Sequence, residues 1–486
     1  MLRNSDTNTE AGLFLKLAAI VGLLLVILNP PMCSPDENTH FLNAYAVSTG
    51  DLFPDTADGL TTRIYPESVL SFVDTYNSRF AGNYSQKYSF GEMYFDGYLP
   101  YSRSEPDVIY QSGLTAVSFV SYLPAAFGMM AGRLAARIFG MEIIARPYNL
   151  LLFGRLGNLF FYIAVTFLAL KTAVCYRRLM LILALMPMSI YLGASVNYDA
   201  LLIPVSFLFV AEVMKLIRSE ADGITKSDIC CILFCVFLIT TVKIVYATLF
   251  LLLLGIPVKK YGTKKRMLVC VLLVFVTIFI ACIPQLYMQI RAYHSSAGSQ
   301  DPSLSSQQID YVRHHPGIVP YIFYNTLVMS KSFYIGSFWG NLGQLDTNIP
   351  LPFCALFYTV LLIAAIIDSL TAHLWDRQWK RILPGLAVFV CVAAIFGVMY
   401  VSWTPLPGVA DGVGSSYVSG VQGRYFIELF IPAVSIFASS YGKRRAKKES
   451  APKEMETAEA ITAMIARASA LGCSVLTPLI IFLRYW

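Results

Sequence analysis

The chain has 486 residues, of which 56% are hydrophobic and only 14% charged, with a formal net charge of +7 and a mean hydropathy of +0.59. That balance excludes a soluble protein, and apolar runs near twenty residues long make it a polytopic membrane protein. The positive charge does not point to nucleic acid, because the lysines and arginines lie in short clusters between apolar runs, as topology signals do.

Taken in chain order, the first apolar run covers Leu13–Leu28, and the absence of a small-x-small cleavage site before the prolines reads as a retained anchor. The turn Pro30-Pro31-Met32-Cys33-Ser34-Pro35-Asp36-Glu37 follows. Three prolines there stop the helix and stiffen the backbone, since each lacks an amide donor and restricts its predecessor. Further spans are expected at Leu150–Leu170, Leu179–Ser195, Ala200–Ile217, Met267–Tyr287, Leu351–Leu370, Ile382–Ser402, Tyr425–Tyr441 and Ala468–Leu483. Ile229–Pro257 has basic residues at both ends, Lys226 on one side and Lys259 and Lys260 on the other. It therefore reads as two half-length helices turning at Lys243, because one oversized span would bury that lysine and break the positive-inside rule.

Gly113–Met130 is apolar but interrupted by Ser118, Ser121 and Pro124, and arginines follow it at 133, 137 and 146. Treating 113–146 as interfacial or re-entrant keeps the later basic clusters on the inner side. The fold class that results is an all-α bundle of about eleven transmembrane helices in one domain, 1–486, with its N-terminus in and its C-terminus out. Its outer parts are a large first loop, 30–112, a second, 288–350, and a third near 403–423; the basic segment 442–459 lies inside, as a topology anchor or a contact for anionic lipid.

Asp36 and Glu37 are the leading candidates for chemistry, because a shielded carboxylate beside a span can act as a general base. The competing reading makes Asp36 the cap of a helix beginning near Asn38, with Glu37 in its first turn. His40, one turn on, could orient a carboxylate or hold a phosphate. Tyr94, Asp96 and Tyr98, within an aromatic stretch from Tyr76 to Tyr110, suit stacking on a sugar or an isoprenoid, or an interfacial aromatic belt. Arg155, Asn197, Asp199, Lys243 and Arg424 are polar residues at membrane depth or at span ends, where ionisable groups are costly, and the cations among them suit an anionic head group. Of the ten cysteines only Cys33 sits in a clearly polar loop, and Cys230, Cys231 and Cys235 have no histidine near them to suggest zinc. Phosphate-loop, dinucleotide, zinc-protease and nucleophile-elbow motifs are absent, so ATP, NAD and zinc are not implied, no cofactor is expected, and a divalent cation is left open.

Ser34-Pro35-Asp36-Glu37-Asn38-Thr39-His40-Phe41 followed by Ser48-Thr49-Gly50-Asp51-Leu52, then Pro187 to Asp199, Trp339 to Pro350 and Gln422-Gly423-Arg424-Tyr425-Phe426, resemble, in order, the motifs of a widespread bacterial family of polytopic membrane proteins. That family is similar to the GT-C glycosyltransferases. The resemblance implies a GT-C-like bundle in the bacterial cytoplasmic membrane, a site facing outward, in-plane helices in the first loop and Asp36 as base with Glu37 in support. It also implies a polyprenyl-phosphate-linked sugar as donor and an envelope glycan as acceptor, with membrane lipid around the chain. The chain departs from the better-known members in having no appended soluble domain and in carrying Glu428 where an apolar residue or proline is expected. Two other classes fit the composition. A flippase of lipid-linked saccharides calls for charges deep in several spans and for repeat symmetry; a scaffold of an envelope polysaccharide complex calls for a flat apolar docking surface instead of a closed pocket holding both carboxylates.

Overall fold

The computed structural model describes residues 2–57, 59–77, 79–98, 106–112, 117–218, 223–295, 303–439 and 453–486. It is mostly helical. Among the described residues, seven helices are long and apolar enough to cross a membrane: α1 (Leu2–Leu28, apolar from Thr9), α6 (Pro147–Thr172), α9 (Asp199–Arg218), α11 (Lys264–Ser295), α14 (Leu351–Ala372), α15 (Ile382–Ser402) and α17 (Lys453–Tyr485). Between these lie α2 (Glu37–Thr49), α3 (Glu67–Tyr76), α4 (Phe90–Tyr98), α5 (Leu123–Phe139), α7 (Arg177–Leu185), α8 (Pro187–Gly193), α10 (Lys226–Val242), α12 (Leu304–His314), α13 (Val319–Trp339) and α16 (Ile427–Ser435).

Several apolar runs are folded as shorter pieces. The run 179–195 is α7 followed by α8, broken at Met186 because Pro187 forces an extended conformation on the residue before it. The run 229–257 divides where the sequence places the turn. Lys243 is extended and separates α10 from a twelve-residue 3-10 helix, Ile244–Gly255. The run 425–441 is helical over only Ile427–Ser435, with Pro432 inside, and residues 440–452, most of the basic segment 442–459, lie outside the described residues.

Two features depart from the all-α expectation. The first loop contains a three-stranded antiparallel sheet, β1 (Asp55–Ala57), β2 (Leu60–Pro66) and β3 (Asp107–Ser112), with Arg63 opposite Tyr110 and Thr61 opposite Ser112. Its period-two signal is carried by seven residues, too few to stand out beside the long apolar runs. The 288–350 segment is not a simple loop either. It holds α12, the 21-residue α13 and a short hairpin, β4 (Asn341–Leu342) with β5 (Thr347–Asn348). Ser330, Lys331 and Ser332 interrupt the apolarity of α13 and hide it from a hydropathy reading.

The core gathers around α7, α8 and α9, which are buried almost throughout, with α1, α6, α14 and α17 packed outside them. The fully buried α8 delivers Ser195 to Asp199 beneath the proline turn. The C-terminus lies on the same face as the first loop, where Trp486 donates from Nε1 to the Leu28 carbonyl at 2.8 Å.

Candidate functional site

The proline turn is fixed from beneath by Arg155. Its guanidinium meets Glu37 through two bonds, Nε to Oε1 at 2.9 Å and Nη2 to Oε2 at 2.7 Å, and donates also to the carbonyls of Val26, Asn29 and Pro30. The Val196 amide adds a third hydrogen bond to the Glu37 carboxylate at 3.0 Å. Both side chains are completely buried. Tyr191 donates to the Cys33 carbonyl at 3.0 Å and Gln344 to that of Met32 at 2.7 Å, so residues from α8 and the β4–β5 turn hold the same segment.

Asp36 occupies the N-cap position of α2 with φ 59° and ψ 15°, and its side chain makes no cap hydrogen bond. Aspartate is among the few residues that adopt this left-handed conformation readily. The consequence is that two adjacent carboxylates part company: Glu37 turns down to Arg155, and Asp36 turns outward to Arg424, Oδ2 to Nη2 at 3.0 Å. Arg424 also pairs with Asp199, Nη1 to Oδ2 at 3.1 Å, and Lys243 lies 3.6 Å from the other Asp199 oxygen. The Lys243 ammonium sits over the rings of Tyr425 and Tyr198, 4.0 and 4.6 Å from their centroids. Among the described residues, Arg424 Nε is buried with no hydrogen-bond partner, and Lys243 Nζ has none beyond its 3.6 Å ion pair with Asp199 and the two rings. They retain donor capacity for an anion.

Asp36, Tyr198 and Tyr425 border a cavity of about 440 Å³, and Asp199, Lys243 and Arg424 sit behind them, outside its lining. Asp36, His40, Tyr198 and Tyr425 lie along one side of it. Thr61, Arg63 and Tyr65, alternate residues of β2, line another with Tyr110 and Ser112 of β3, and Ser402, Trp403 and Gln422 contribute from the end of α15 and the loop beyond it. His40 is buried against Tyr122, Nδ1 to hydroxyl 3.1 Å, and edge-on to Tyr198. Burial pushes its imidazole down to about 4, with Arg424 and Lys243 acting in the same direction and Asp36 and Asp199 opposing. It is therefore a neutral hydrogen-bonding group at neutral pH.

Of the residues singled out from sequence, Asp36, His40, Asp199, Lys243 and Arg424 come together. Of these only Asp36 and His40 line the cavity; Asp199, Lys243 and Arg424 back onto it through Asp36, Tyr198 and Tyr425, and Glu37 and Arg155 form the support beneath. Asn197 caps α9, its Oδ1 accepting from the Ala200 amide at 2.9 Å, while its Nδ2 donates to the Leu192 carbonyl. Asp96 is elsewhere, accepting hydroxyls from Tyr76 and Tyr88 at 2.6 Å each inside the packed first loop; burial raises its carboxyl, and those two bonds oppose the shift. Tyr94 is exposed and lines a separate shallow groove beside α6, and the Tyr98 side chain lies outside the described residues. Sequence reasoning did not single out as site residues Tyr198, Tyr425 and Gln422, although they lie in the quoted motifs, nor Arg63, Tyr122 and Trp403. Only folding brings Arg63, Tyr122 and Trp403 to the cavity. Among the described residues, no three His, Cys, Asp or Glu side chains form a group that could hold a metal ion.

Neither the curated proteins nor the solved structures contain a match to the chain. A family model described as a predicted membrane protein, DUF2142, matches residues 19–432, a range that includes the proline turn, Asp199, Lys243 and Arg424. The chain belongs to the DUF2142 family of membrane proteins.

Proposed function

We propose that the protein is a glycosyltransferase of GT-C type, moving a sugar from a polyprenyl-phosphate donor to an envelope glycan. The observation that carries this reading is the ion-pair cluster of Asp36 with Arg424, Asp199 and Lys243, in which Asp36 lines the cavity and the others lie directly behind it. A carboxylate held at a fixed angle beside two cations, of which Lys243 makes only a long ion pair, suits a reaction in which a hydroxyl attacks and a phosphate leaves. Asp36 takes the proton from the acceptor hydroxyl, and the freed oxygen attacks the anomeric carbon from the face opposite the phosphate. The bond from that carbon to the phosphate oxygen breaks, and its electron pair departs with the polyprenyl phosphate. Arg424 and Lys243 neutralise the leaving phosphate, Asp199 keeps the two cations together, and Glu37 positions Asp36 through the turn.

On this reading eleven segments cross the membrane: the seven long helices, the α7–α8 pair, α10, the 244–255 helix and α16. The first-loop face is outward, at the bacterial cytoplasmic membrane, because the basic clusters gather on the opposite face. The test is transfer by purified protein from a polyprenyl-phosphate-linked sugar, scored by mass spectrometry of the glycan product. Asp36→Asn is expected to lose about 10²–10⁴-fold in turnover with unchanged thermal stability, the range for removing a general base. Wild-type turnover by that variant would refute the assignment.

A further inference from the structure

A second cavity, about 620 Å³, lies between α10, the 244–255 helix and the first part of α11. Its walls are apolar: Ile229, Ile232 and Leu233 from α10, Leu251 and Leu254 from the 3-10 helix, Val271 and Val274 from α11. Thr248, one of its few polar residues, spends its hydroxyl on the Val245 carbonyl at 3.2 Å. A 3-10 run of twelve residues is unusual, since such helices rarely exceed three or four. Its tighter winding leaves space beside it while its backbone groups stay paired within the helix, as a lipid-facing wall requires. Leu254, Val258 and Phe275 on the rim are largely exposed, so the cleft opens sideways toward hydrocarbon. An apolar cavity of this kind does not hold water well and is suited to an alkyl chain.

One end of the cleft is electrically distinct. Ile224, Val258, Tyr261 and Met267 close it on the side away from the first loop, and the exposed Lys226, Lys259, Lys264 and Lys265 surround that end. Asp228, in the same region, is already engaged by Lys215 at 2.8 Å and by the Thr225 cap. The N-terminus of α11, at Lys264, adds the positive end of a helix dipole there.

We propose that this cleft is a binding site for one anionic phospholipid, with an acyl chain between α10, the 244–255 helix and α11 and the phosphate on Lys259, Lys264 and Lys265. The proposal is independent of glycosyl transfer. The lipid site lies on the face opposite the cavity that holds Asp36, and the 244–255 helix that forms its wall begins at Lys243, so occupancy braces the element that carries one of the site's cations.

Native mass spectrometry of the full-length protein, delipidated and re-supplied with phosphatidylglycerol or phosphatidylcholine of the same chains, tests it. The wild type is expected to retain one phosphatidylglycerol at least about fivefold better than phosphatidylcholine, in keeping with several basic residues at one membrane surface. Lys259→Ser with Lys264→Ser and Lys265→Ser should reduce phosphatidylglycerol to the level of phosphatidylcholine. Ala247→Trp, which fills the cleft, should reduce retention of both lipids, and Val271→Phe serves the same purpose should the tryptophan variant not fold. Equal retention of the two lipids by the wild type overturns the proposal whatever the variants do. So does displacement of phosphatidylglycerol by polyprenyl phosphate that is indifferent to the three lysines, which would assign the cleft to a prenyl chain.

Discussion

Glu37 and Arg155 are a fully desolvated ion pair, and such pairs stabilise only when every donor and lone pair around them is used. Here they are: the guanidinium serves two carboxylate oxygens and three carbonyls, and the carboxylate takes the Val196 amide as well. Removing one partner strands the other charge. Glu37→Ala is therefore expected to cost about 3–5 kcal/mol, whereas the apolar double substitution Glu37→Leu with Arg155→Met should cost much less. Thermal unfolding in detergent distinguishes the two, and a Glu37→Ala variant that melted with the wild type would remove Glu37 from its supporting role. The Asp36–Arg424 contact differs in kind, because the Asp36 side chain is 58% exposed and that of Arg424 only 1%. A pair with one open partner is screened by water and contributes little stability. Its use is to aim the carboxylate.

At the scale of elements, the cavity wall depends on how closely α5 approaches α6. A Cβ at Gly128 would collide with the Phe153 carbonyl, and one at Gly157 with that of Pro124, so two glycines bring the backbones together. This contact places Tyr122, just before α5, against His40. Gly128→Val is expected to push the helices apart, to cost about 1–3 kcal/mol by overpacking and to withdraw Tyr122 from the cavity. The check is a lowered melting temperature together with reduced turnover in the transfer assay. Unchanged values in both would mean that α5 does not shape the site. The sequence reading of 113–146 as a segment apart from the full spans rested on Ser118, Ser121 and Pro124 and on keeping the later basic clusters on the inner side; the glycine seam with α6 could not be read, since it needs both helices in register.

The whole molecule is closed by its C-terminal end. The last carbonyls of α17 have no acceptor-to-donor partners within the helix, and the first loop supplies them: Lys87 donates to Leu483 and Arg484, and the Tyr88 amide to Tyr485. Arg484 reaches back to the Phe80 carbonyl at 2.6 Å, and Trp486 packs on Phe90 and Tyr88 while bonding to the end of α1. Phe80, Tyr84, Tyr88 and Phe90 of the first loop are thus used to clasp the C-terminal residues. Trp486→Ala is expected to lower stability by about 1–3 kcal/mol and to open the 80–90 segment to limited proteolysis. Resistance equal to the wild type would show that the clasp is dispensable.

What the sequence determined by itself was whatever depends on neighbours along the chain. Apolar run length marks the membrane helices, Lys243 between two short runs marks a turn, and three prolines mark a rigid one before Asp36. The cations at span ends were legible because ionisable groups are rare and costly there. Tertiary structure alone decided the division of labour between Asp36 and Glu37. Arg155 is 118 positions from Glu37 and Arg424 is 388 from Asp36, and neither separation leaves a periodic trace. The same holds for Asp96, which pairs with two tyrosines in place of a ligand, and for the β2 face that lines the cavity. A single backbone angle, positive φ at Asp36, sends one carboxylate to the support and the other to the cavity. It is held by contacts from α6, α8 and the β4–β5 turn, which exist only once the helices are packed.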